Sequence, residues 1–355
     1  MKKSLTTLIL IVSAVVLWIG SESISSAQEA SRSIDQRTVP VPAAASQELQ
    51  DAISAAPVIN VGGAAVASLE TDADWEKFVA AADGPAGQAL EFAAKQLGVS
   101  VERHEVEGVP IFRVVPAEVD PRHADHRFLY VHGGAYVLGG GAAGAQEALM
   151  IASRTKMPVF SIDYRMPPRH PFPAAIEDVV TVYRHVLGNR PAKSIALGGT
   201  SAGGGLTLAA VQRFLELDLD VPGAIYAGTP WADLTKTSDS LFTNEGLDRV
   251  LVTYEGLLRG AAELYANDHD LKNPLISPLY GDFLGFPPAY LVSGTRDMLL
   301  SDTVRTHRKL RTAGVVADLN IYEGLSHAGY LVVPNSPESQ QVYGELNAFL
   351  LRHLD

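Results

Sequence analysis

The sequence predicts an α/β protein with a mostly parallel sheet and helices on both of its faces. The first observation is an alternation: from residue 127 onward, short apolar runs of strand type are separated by stretches with helical periodicity. The second is a glycine-rich segment, residues 198–205, between one such run and a helix. Alternating strands and helices favour a parallel sheet with helices packed on its faces. The alternating strands read RFLYVHGG, PVFSIDY, SIALGG, GAIYAG, AYLVSG and ADLNIYEG.

Composition excludes several classes of function. The 355 residues are 47% hydrophobic and 19% charged, which suits a globular protein with a large core. The formal net charge is −12 and no basic stripe is present, so no nucleic-acid partner is expected. The chain has no cysteine, which rules out disulfides, thiolate catalysis and thiolate metal ligands. No H-E-x-x-H or similar spacing occurs, so no metal site is predicted.

The first 27 residues have the pattern of a secretory signal peptide. Lys2 and Lys3 precede an apolar stretch from Leu5 to Ile19, and the small residues 25–27 follow it. The apolar stretch is short for a membrane span, which needs about 20 apolar residues. We therefore expect export to the periplasm or the extracellular space, cleavage near Gln28 and no stable membrane association afterwards. An uncleaved membrane anchor is the alternative.

Helices are expected ahead of the sheet. Residues 28–45 are polar and contain prolines, which predicts a loose lead-in. Residues 46–98 then show helical patterns, with Ser46 and Asp72 as expected N-caps. The pair Gly84-Pro85 is expected to separate two of these helices, because proline cannot donate a backbone hydrogen bond.

Residues 99–355 are predicted to form the domain that holds the sheet, beginning with a hairpin that turns near Gly108. An insertion at about residues 235–280 interrupts the alternation, and its segment 247–266 has an apolar helical pattern. The insertion follows the carboxyl end of a strand, where ligands bind in such sheets. We therefore expect it to contribute to a cap, with a buttressing helix as the alternative.

Residues 199–203, GTSAG, match the G-x-S-x-G pattern of a nucleophile elbow. The required context is present, since a strand-type run precedes the motif and a helical pattern follows it. In such a turn the glycines let strand and helix pass close together, and Ser201 is held in the open. The alternative is an ordinary helix N-terminus that Ser201 caps.

The partners of this serine are expected in the loops after the last two strands. In this fold class the chain order is serine, acid, histidine. Asp297 follows one strand and His327 follows the next. Asp302 is the rival acid, but it stands where a helix begins, so capping is its expected role. Other histidines lie in polar stretches and are expected to be solvated, namely His104, His123, His126, His269 and His353.

The segment HGGA, residues 132–135, follows a strand and predicts an oxyanion hole. Its glycines leave backbone N–H groups free to bind a developing negative charge. We expect the donors to be Gly134, Ala135 and Ala202, with Gly133 as a further one. An ordinary glycine turn is the alternative, and His132 is expected to shape this loop rather than act as a base.

Six motifs occur in a fixed order: HGGAY, DYRMPPRHPFPAAIEDV, GTSAGG, TPWADLT, SGTRDMLLSD and LSHAGY. In this order they resemble the hormone-sensitive-lipase-like (bacterial family IV) esterases of the α/β-hydrolase superfamily, GTSAG subgroup, over about residues 70–352. The resemblance implies an eight-stranded sheet, no cofactor, and a helical cap from the N-terminal helices and the insertion. It also implies that Ser201, Asp297 and His327 form the catalytic triad.

Some positions depart from that family. It often has glycine where Ala135 stands, aspartate where Thr200 stands and proline where Met298 stands; none of these changes removes a catalytic atom. The second motif, residues 163–179, is expected to be a rigid loop near the site. Its acidic pair, Glu177 and Asp178, is expected to make structural bonds.

The sequence thus predicts an exported serine esterase that hydrolyses small esters of short to medium chain through an acyl-enzyme, with a homodimer as one possible assembly. Tyr254, Leu257 and Leu258 are spaced to share one helical face, which would line the substrate pocket together with Tyr136. Packing of this face onto the core is the alternative. A lactone or amide hydrolase could use the same triad. A non-catalytic receptor is disfavoured because His327 is present.

Overall fold

The computed structural model describes residues 38–57, 61 and 69–355. The predicted signal peptide and the lead-in up to residue 37 lie outside the described residues. The chain divides into a unit of residues 1–40 and a unit of residues 41–355, and every element below belongs to the second unit. Across the described ranges, no helix combines the length and apolar character that a membrane crossing requires.

The sheet has eight strands and confirms the predicted α/β-hydrolase fold. Its order is β1-β2-β4-β3-β5-β6-β7-β8, where β2 is antiparallel to both of its neighbours and the remaining pairs are parallel. The hairpin and the six later strands all lie where the sequence predicts them. The strands are β1 Val99–Val106, β2 Val109–Pro116, β3 Arg127–Val131, β4 Val159–Ile162, β5 Ile195–Thr200, β6 Ala224–Gly228, β7 Ala289–Gly294 and β8 Ala317–Tyr322.

Helices cover both faces of this sheet. Alternate residues of β3 show the two layers: Leu129 and Val131 join one apolar cluster, and Phe128 and Tyr130 join the other. The first cluster includes residues of α5, α6, α8 and α9, and the second includes residues of α3, α4 and α11. The helices are α1 Gln47–Ala55, α2 Asp72–Gln88, α3 Leu90–Leu97, α4 Gln146–Thr155, α5 Ala174–Leu187, α6 Ala202–Glu216, α7 Ser240–Thr243, α8 Leu257–Ala266, α9 Leu300–Thr312, α10 Gly329–Val332 and α11 Pro337–His353.

The helices before the sheet differ in detail from expectation. Ser46 caps α1, as predicted, by accepting the N–H of Leu49 at 3.2 Å. The N-cap of α2 is Thr71 rather than Asp72, because Thr71 forms a reciprocal capping box with Asp74. The expected break at Pro85 is wrong, since α2 continues to Gln88. Proline is tolerated here because the helix surface is exposed and water can bond the carbonyl that loses its donor.

The predicted helix over 247–266 is wrong in its first half. Helix α8 begins only at residue 257, after a turn at Gly256 with φ of 86°. Earlier, the Asp248 carboxylate accepts the N–H groups two and three residues further on, and Val252 has φ of 63°. These side-chain bonds compete with helix formation. Tyr254 therefore does not share a helical face with the leucines of α8.

Two of the histidines expected to be solvated are buried instead. His123 is 0% exposed and His126 is 7% exposed. Their Nδ1 atoms lie 2.8 Å apart, and Nε2 of His123 lies 2.8 Å from Oδ1 of Asn347 on α11. Burial lowers the pKa of both imidazoles. The polar neighbours in the sequence misled the prediction, because the partner that covers His123 is 224 residues away.

Candidate active site

The turn between β5 and α6 has the geometry of a nucleophile elbow. Ser201 has φ of 63° and ψ of −125°, a strained conformation for a residue with a side chain. The carbonyl oxygen of Val131 lies where a side chain at Gly199 or Gly203 would be, at 1.9 and 2.0 Å from the position of a Cβ. Both positions therefore need glycine. Ser201 makes no side-chain capping bond to α6, so the alternative of a simple N-cap is wrong.

The three predicted triad residues lie in one hydrogen-bonded chain. Oγ of Ser201 is 2.8 Å from Nε2 of His327, and Nδ1 of His327 is 3.0 Å from Oδ1 of Asp297. Asp297 also accepts the hydroxyl of Ser293 at 2.6 Å and the N–H of Leu299 at 2.8 Å. The histidine and the aspartate are buried, whereas the serine is partly exposed. This is the arrangement in which a base activates a nucleophile and an acid orients the base.

The surroundings of His327 favour its protonated form. Burial acts to lower the pKa of the imidazole, but the charge of Asp297, its hydrogen bond and the charge of Asp248 raise the pKa and prevail. The net effect is a pKa above the ordinary value of 6.5. An imidazole in this position can hold a proton that it receives from Ser201.

The rival acid Asp302 has a different task. Its Oδ2 accepts the N–H groups of Ala232 and Asp233 at 3.0 and 2.9 Å, and the Ser238 hydroxyl donates to Oδ1. Burial is the main reason that its pKa is raised to about 7. It lies in the first turn of α9 without capping that helix, so the expected capping role is wrong. The physical reason is that its oxygens bind the segment after β6 instead.

The glycine loop after β3 lies directly against the serine. A Cβ on Gly133 would approach the carbonyl oxygen of Thr200 to 2.8 Å. Gly134 has φ of 110°, and Ala135 has φ of 53°. Among the described residues, the backbone N–H groups of the predicted donors at 133, 134, 135 and 202 have no hydrogen-bond acceptor. They are available to an anion that forms beside Ser201.

Side chains from elsewhere fix this glycine loop. Nδ1 of His132 is 2.7 Å from the carbonyl oxygen of Gly133, and its ring stacks on Tyr164 with centroids 4.0 Å apart. Asp83 of α2 accepts the N–H groups of residues 139 and 140 at 2.9 to 3.0 Å. Asp163 accepts the N–H of residue 141 at 2.7 Å. His132 thus shapes the loop, and α2 is bonded to it.

The second motif, residues 163–179, has the structural bonds expected of it. Asp178 accepts the Arg165 side chain at 2.8 and 3.0 Å and its backbone N–H at 2.8 Å. Glu177 lies 3.6 Å from the same guanidinium. These contacts fix the loop that carries Tyr164, whose hydroxyl donates to the carbonyl of His132 at 2.9 Å.

A buried carboxylate below the nucleophile was not predicted from the sequence. Glu147 of α4 is 4% exposed, and a network of hydroxyl groups surrounds it. It accepts hydroxyls at 2.8, 2.8 and 3.1 Å from Tyr130, Thr200 and Tyr226. The Tyr330 hydroxyl joins the same network, at 2.8 Å from both Oγ1 of Thr200 and the Tyr226 hydroxyl.

This network connects the two halves of the site. Thr200 directly precedes Ser201, and Tyr330 lies three residues after His327. Burial raises the pKa of Glu147, and the hydroxyl donors act to lower it. The signal in the sequence that could have indicated this role is that Glu147 is a charged residue among the buried, mostly apolar positions of α4.

A cavity of about 380 Å³ opens beside Ser201 and His327. Of the predicted pocket residues, Leu257 and Leu258 line it, but Tyr136 and Tyr254 do not, which corrects the prediction. Tyr136 stacks on a tyrosine of α8 with centroids 4.1 Å apart, and the Tyr254 hydroxyl donates to the carbonyl of residue 234 at 2.7 Å. The apolar part of the wall consists of Ala135, Leu138, Ala143, Trp231, Val250, Leu251, Leu257, Leu258, Leu299, Ala328 and Leu331. Within the described part of the chain, no group of three or more histidine, aspartate or glutamate side chains could hold a metal ion.

Residues 128–331 match the sequence model of the α/β hydrolase fold family. The chain belongs to this family. The crystal structure of the esterase E25 resembles this α/β hydrolase with a TM-score of 0.90 and 50% sequence identity, over 92% of this chain and 99% of that one.

Two further similarities identify the branch of the family. The crystal structure of an esterase from the bacterial hormone-sensitive lipase family has a TM-score of 0.72 and 30% identity, over 88% of this α/β hydrolase and 100% of that chain. An acetyl-hydrolase of Streptomyces hygroscopicus is 33% identical over 234 residues, which are 65% of this chain and 78% of the relative. These similarities confirm the resemblance to hormone-sensitive-lipase-like esterases.

The hydroxyl network predicts a stability difference between two buried threonines. Thr200→Val should lower the free energy of unfolding by about 1–3 kcal/mol, because buried Oε1 of Glu147 would lose its shortest hydrogen bond and keep only the longer ones from Tyr226 and Tyr343, at 3.1 and 3.4 Å. Thr207→Val is the matched control, since the bond that the Thr207 hydroxyl makes among the described residues is to the carbonyl of Gly203 in its own helix, at 2.7 Å. Urea denaturation of both variants measures the difference. A smaller loss for Thr200→Val than for the control would contradict this role.

Proposed function

We propose that this carboxylic ester hydrolase cleaves small esters of short to medium chain through an acyl-enzyme on Ser201. The observation that carries the proposal is the hydrogen-bonded chain from Ser201 through His327 to Asp297 at the edge of an apolar cavity. A serine hydroxyl is a weak nucleophile until a base removes its proton, and the chain supplies that base and the group that orients it.

In the proposed reaction Oγ of Ser201 bonds to the ester carbonyl carbon while Nε2 of His327 takes the hydroxyl proton. Asp297 accepts the Nδ1–H and stabilises the imidazolium. Backbone N–H groups at 133–135 and 202 donate to the oxyanion, and each such donor is typically worth about 2.7–4 kcal/mol in the transition state. The ester C–O bond then breaks, and His327 returns the proton to the leaving alcohol.

The second half of the reaction uses the same groups. Water takes the place of the alcohol and attacks the acyl carbon while Nε2 of His327 takes its proton. The bond from the acyl carbon to Oγ of Ser201 breaks, and the proton passes to that oxygen. The carboxylic acid leaves, and the free hydroxyl is restored.

Cavity size and lining support a limit on acyl length. Leucines from α8 and from the loops around it give the cavity an apolar wall. Each methylene that fits gains about 0.8 kcal/mol, whereas one that overruns the wall forces side chains out of place. The similar protein named an acetyl-hydrolase also supports a short acyl group.

We further propose that residues 46–98 and about 235–280 together form a cap over the cavity. Two observations support this: Asp83 of α2 bonds the glycine loop, and Leu257 and Leu258 of α8 line the cavity. The GTSAG sequence at 199–203 supports membership of the subgroup with that motif.

The triad assignment predicts a contrast between two buried aspartates. Ser201→Ala, His327→Ala and Asp297→Asn should each lower kcat by about 10⁴-fold or more, and their effects should not multiply, because the three groups act as a unit. Asp302→Asn is the control, since that carboxylate binds other segments and should leave most of the activity. Kinetics on p-nitrophenyl esters measure this.

Two results would contradict the assignment. The first is a severe loss in Asp302→Asn with a mild one in Asp297→Asn. The second is a wild type that a fluorophosphonate does not label at Ser201, which would favour a non-catalytic binder. A panel of esters, lactones and amides establishes which bond is cleaved fastest, and preference for a lactone or an amide would overturn the ester assignment.

The cavity wall predicts how acyl preference can be changed. Activity on p-nitrophenyl esters should peak at short to medium acyl chains, and Leu257→Ala or Leu258→Ala should move the peak to longer ones by enlarging the cavity. Tyr254→Phe is the matched control, because that side chain lies outside the cavity and should leave the profile unchanged. Variants that lose stability but keep the wild-type profile would count against this wall. So would preference of the wild type for long-chain triglycerides.

We propose export of the protein, based on the charged and apolar pattern of residues 1–27. Mass spectrometry of the protein from its native host should find a mature chain that begins near Gln28, in the periplasm or the medium. An intact chain with Met1 in the membrane fraction would instead support the anchor.

A further inference from the structure

A second carboxylate beside the triad binds four backbone N–H groups. Asp248 is 0% exposed and lies between α7 and α8. Its Oδ1 accepts from Val250 and Leu251 at 2.9 and 3.2 Å. Its Oδ2 accepts from Met298 and His327 at 2.9 and 3.2 Å. One carboxylate therefore joins three separate segments of the chain.

Each of these segments takes part in the candidate site. Val250 and Leu251 line the cavity, and Val250 is 45% exposed. Met298 directly follows the acid of the triad, and His327 is its base. Asp248 thus stands between the wall that a substrate would contact and the two loops that carry the acid and the base.

Three further bonds connect the same segments. The Asn244 side-chain amide donates to the carbonyl oxygens of Asp297 and Thr295, at 2.8 and 3.3 Å. The backbone N–H of Arg249 lies 3.3 Å from Oγ of Ser326, next to the histidine. The stretch 244–251 is therefore bonded to both triad loops at several points, and Asp248 is the residue whose side chain bonds both loops.

We propose that Asp248 is a positioning residue of the triad, which holds His327 and Asp297 in register with the cavity wall at Val250 and Leu251. The inference rests on the proposed function, because register matters only if these groups perform proton transfer. Substrate contact with the wall then acts on the triad through one rigid connection. An ester whose acyl group reaches the wall should therefore depend more on Asp248 for its rate of hydrolysis than an ester whose acyl group does not.

The charge of Asp248 adds to this positioning. Two carboxylates bond His327: Asp297 bonds Nδ1 of the ring, and Asp248 accepts the backbone N–H. The charges of both raise the pKa of the imidazole, whereas burial acts to lower it. Burial and the charge of Asp297 raise the pKa of Asp248 itself. The nearby cations are Arg249 and Arg296: burial and the charge of Arg296 lower the pKa of Arg249, and the charge of Asp248 raises it. Loss of the negative charge at 248 therefore lowers the pKa of the base.

Asp248→Asn tests the proposal, because it keeps the shape of the side chain but removes the charge and turns an N–H acceptor into a donor. We expect kcat to fall on the order of 10²-fold, the typical effect of a misplacement of about 1 Å. The fall should be larger for esters with longer acyl groups than for acetyl esters. The acid limb of kcat/KM, which should lie above pH 6.5 in the wild type, should move to lower pH.

Two comparisons separate positioning from general loss of structure. Asp302→Asn changes another fully buried carboxylate that accepts two backbone N–H groups, and it should leave the acid limb in place. Asn244→Ala removes the amide bonds to the carbonyls of Thr295 and Asp297 but keeps the charges of Asp248 and Asp297. It should lower kcat without a shift of the acid limb, and it tests the connection even if Asp248→Asn does not fold.

The proposal is overturned if Asp248→Asn keeps the wild-type acid limb and loses activity equally on all esters, or if Asn244→Ala retains the wild-type kcat. These failures differ from a failure of the proposed function. In that case Ser201→Ala would remain active, or the wild type would resist the fluorophosphonate, whatever the behaviour of Asp248→Asn.

Discussion

The site depends on a single close crossing, where the carbonyl oxygen of Val131 at the end of β3 meets Gly199 and Gly203. No side chain fits at either glycine, because a Cβ would lie about 2 Å from that oxygen. The crossing brings the glycine loop that follows β3 against the turn that carries Ser201. Backbone N–H groups that have no acceptor within the described part of the chain therefore lie beside a strained serine, although the two are about 70 residues apart in the sequence.

Around this crossing, buried or half-buried carboxylates hold the irregular loops in addition to backbone hydrogen bonds such as those from Trp231 to Ser201 and from Arg296 to Leu325. Asp83, Asp248 and Asp302 each accept N–H groups from loops at the carboxyl ends of the strands, and Glu147 accepts hydroxyls. A carboxylate has about four lone-pair sites, so it can satisfy several donors that have no strand partner. Because the chain has no cysteine, it cannot form disulfides, and these carboxylates link segments that are distant in the sequence.

The sequence was sufficient for features that local pattern determines. The strands, the elbow at Ser201 and the positions of Asp297 and His327 after consecutive strands follow from periodicity and chain order. The sequence was not sufficient where the role of a side chain depends on a hydrogen-bond partner that is distant in the sequence. Asp302 binds a segment about 70 residues away, and His123 pairs with Asn347, 224 residues away. Neither Glu147 nor Asp248 belongs to a recognisable motif, because their partners are assembled only by the fold.

The bond between Thr200 and Glu147 also restricts how this sequence can diverge. Position 147 supplies the carboxylate and position 200 supplies the donated proton, at a distance of 2.8 Å between two buried side chains. An aspartate at position 200 would place two carboxyl groups in contact, and one would have to remain protonated. We therefore expect that a substitution at position 200 is accompanied by a substitution at position 147. A chain with aspartate before the nucleophile should carry a neutral donor where Glu147 stands, so that the charge below the serine stays at one.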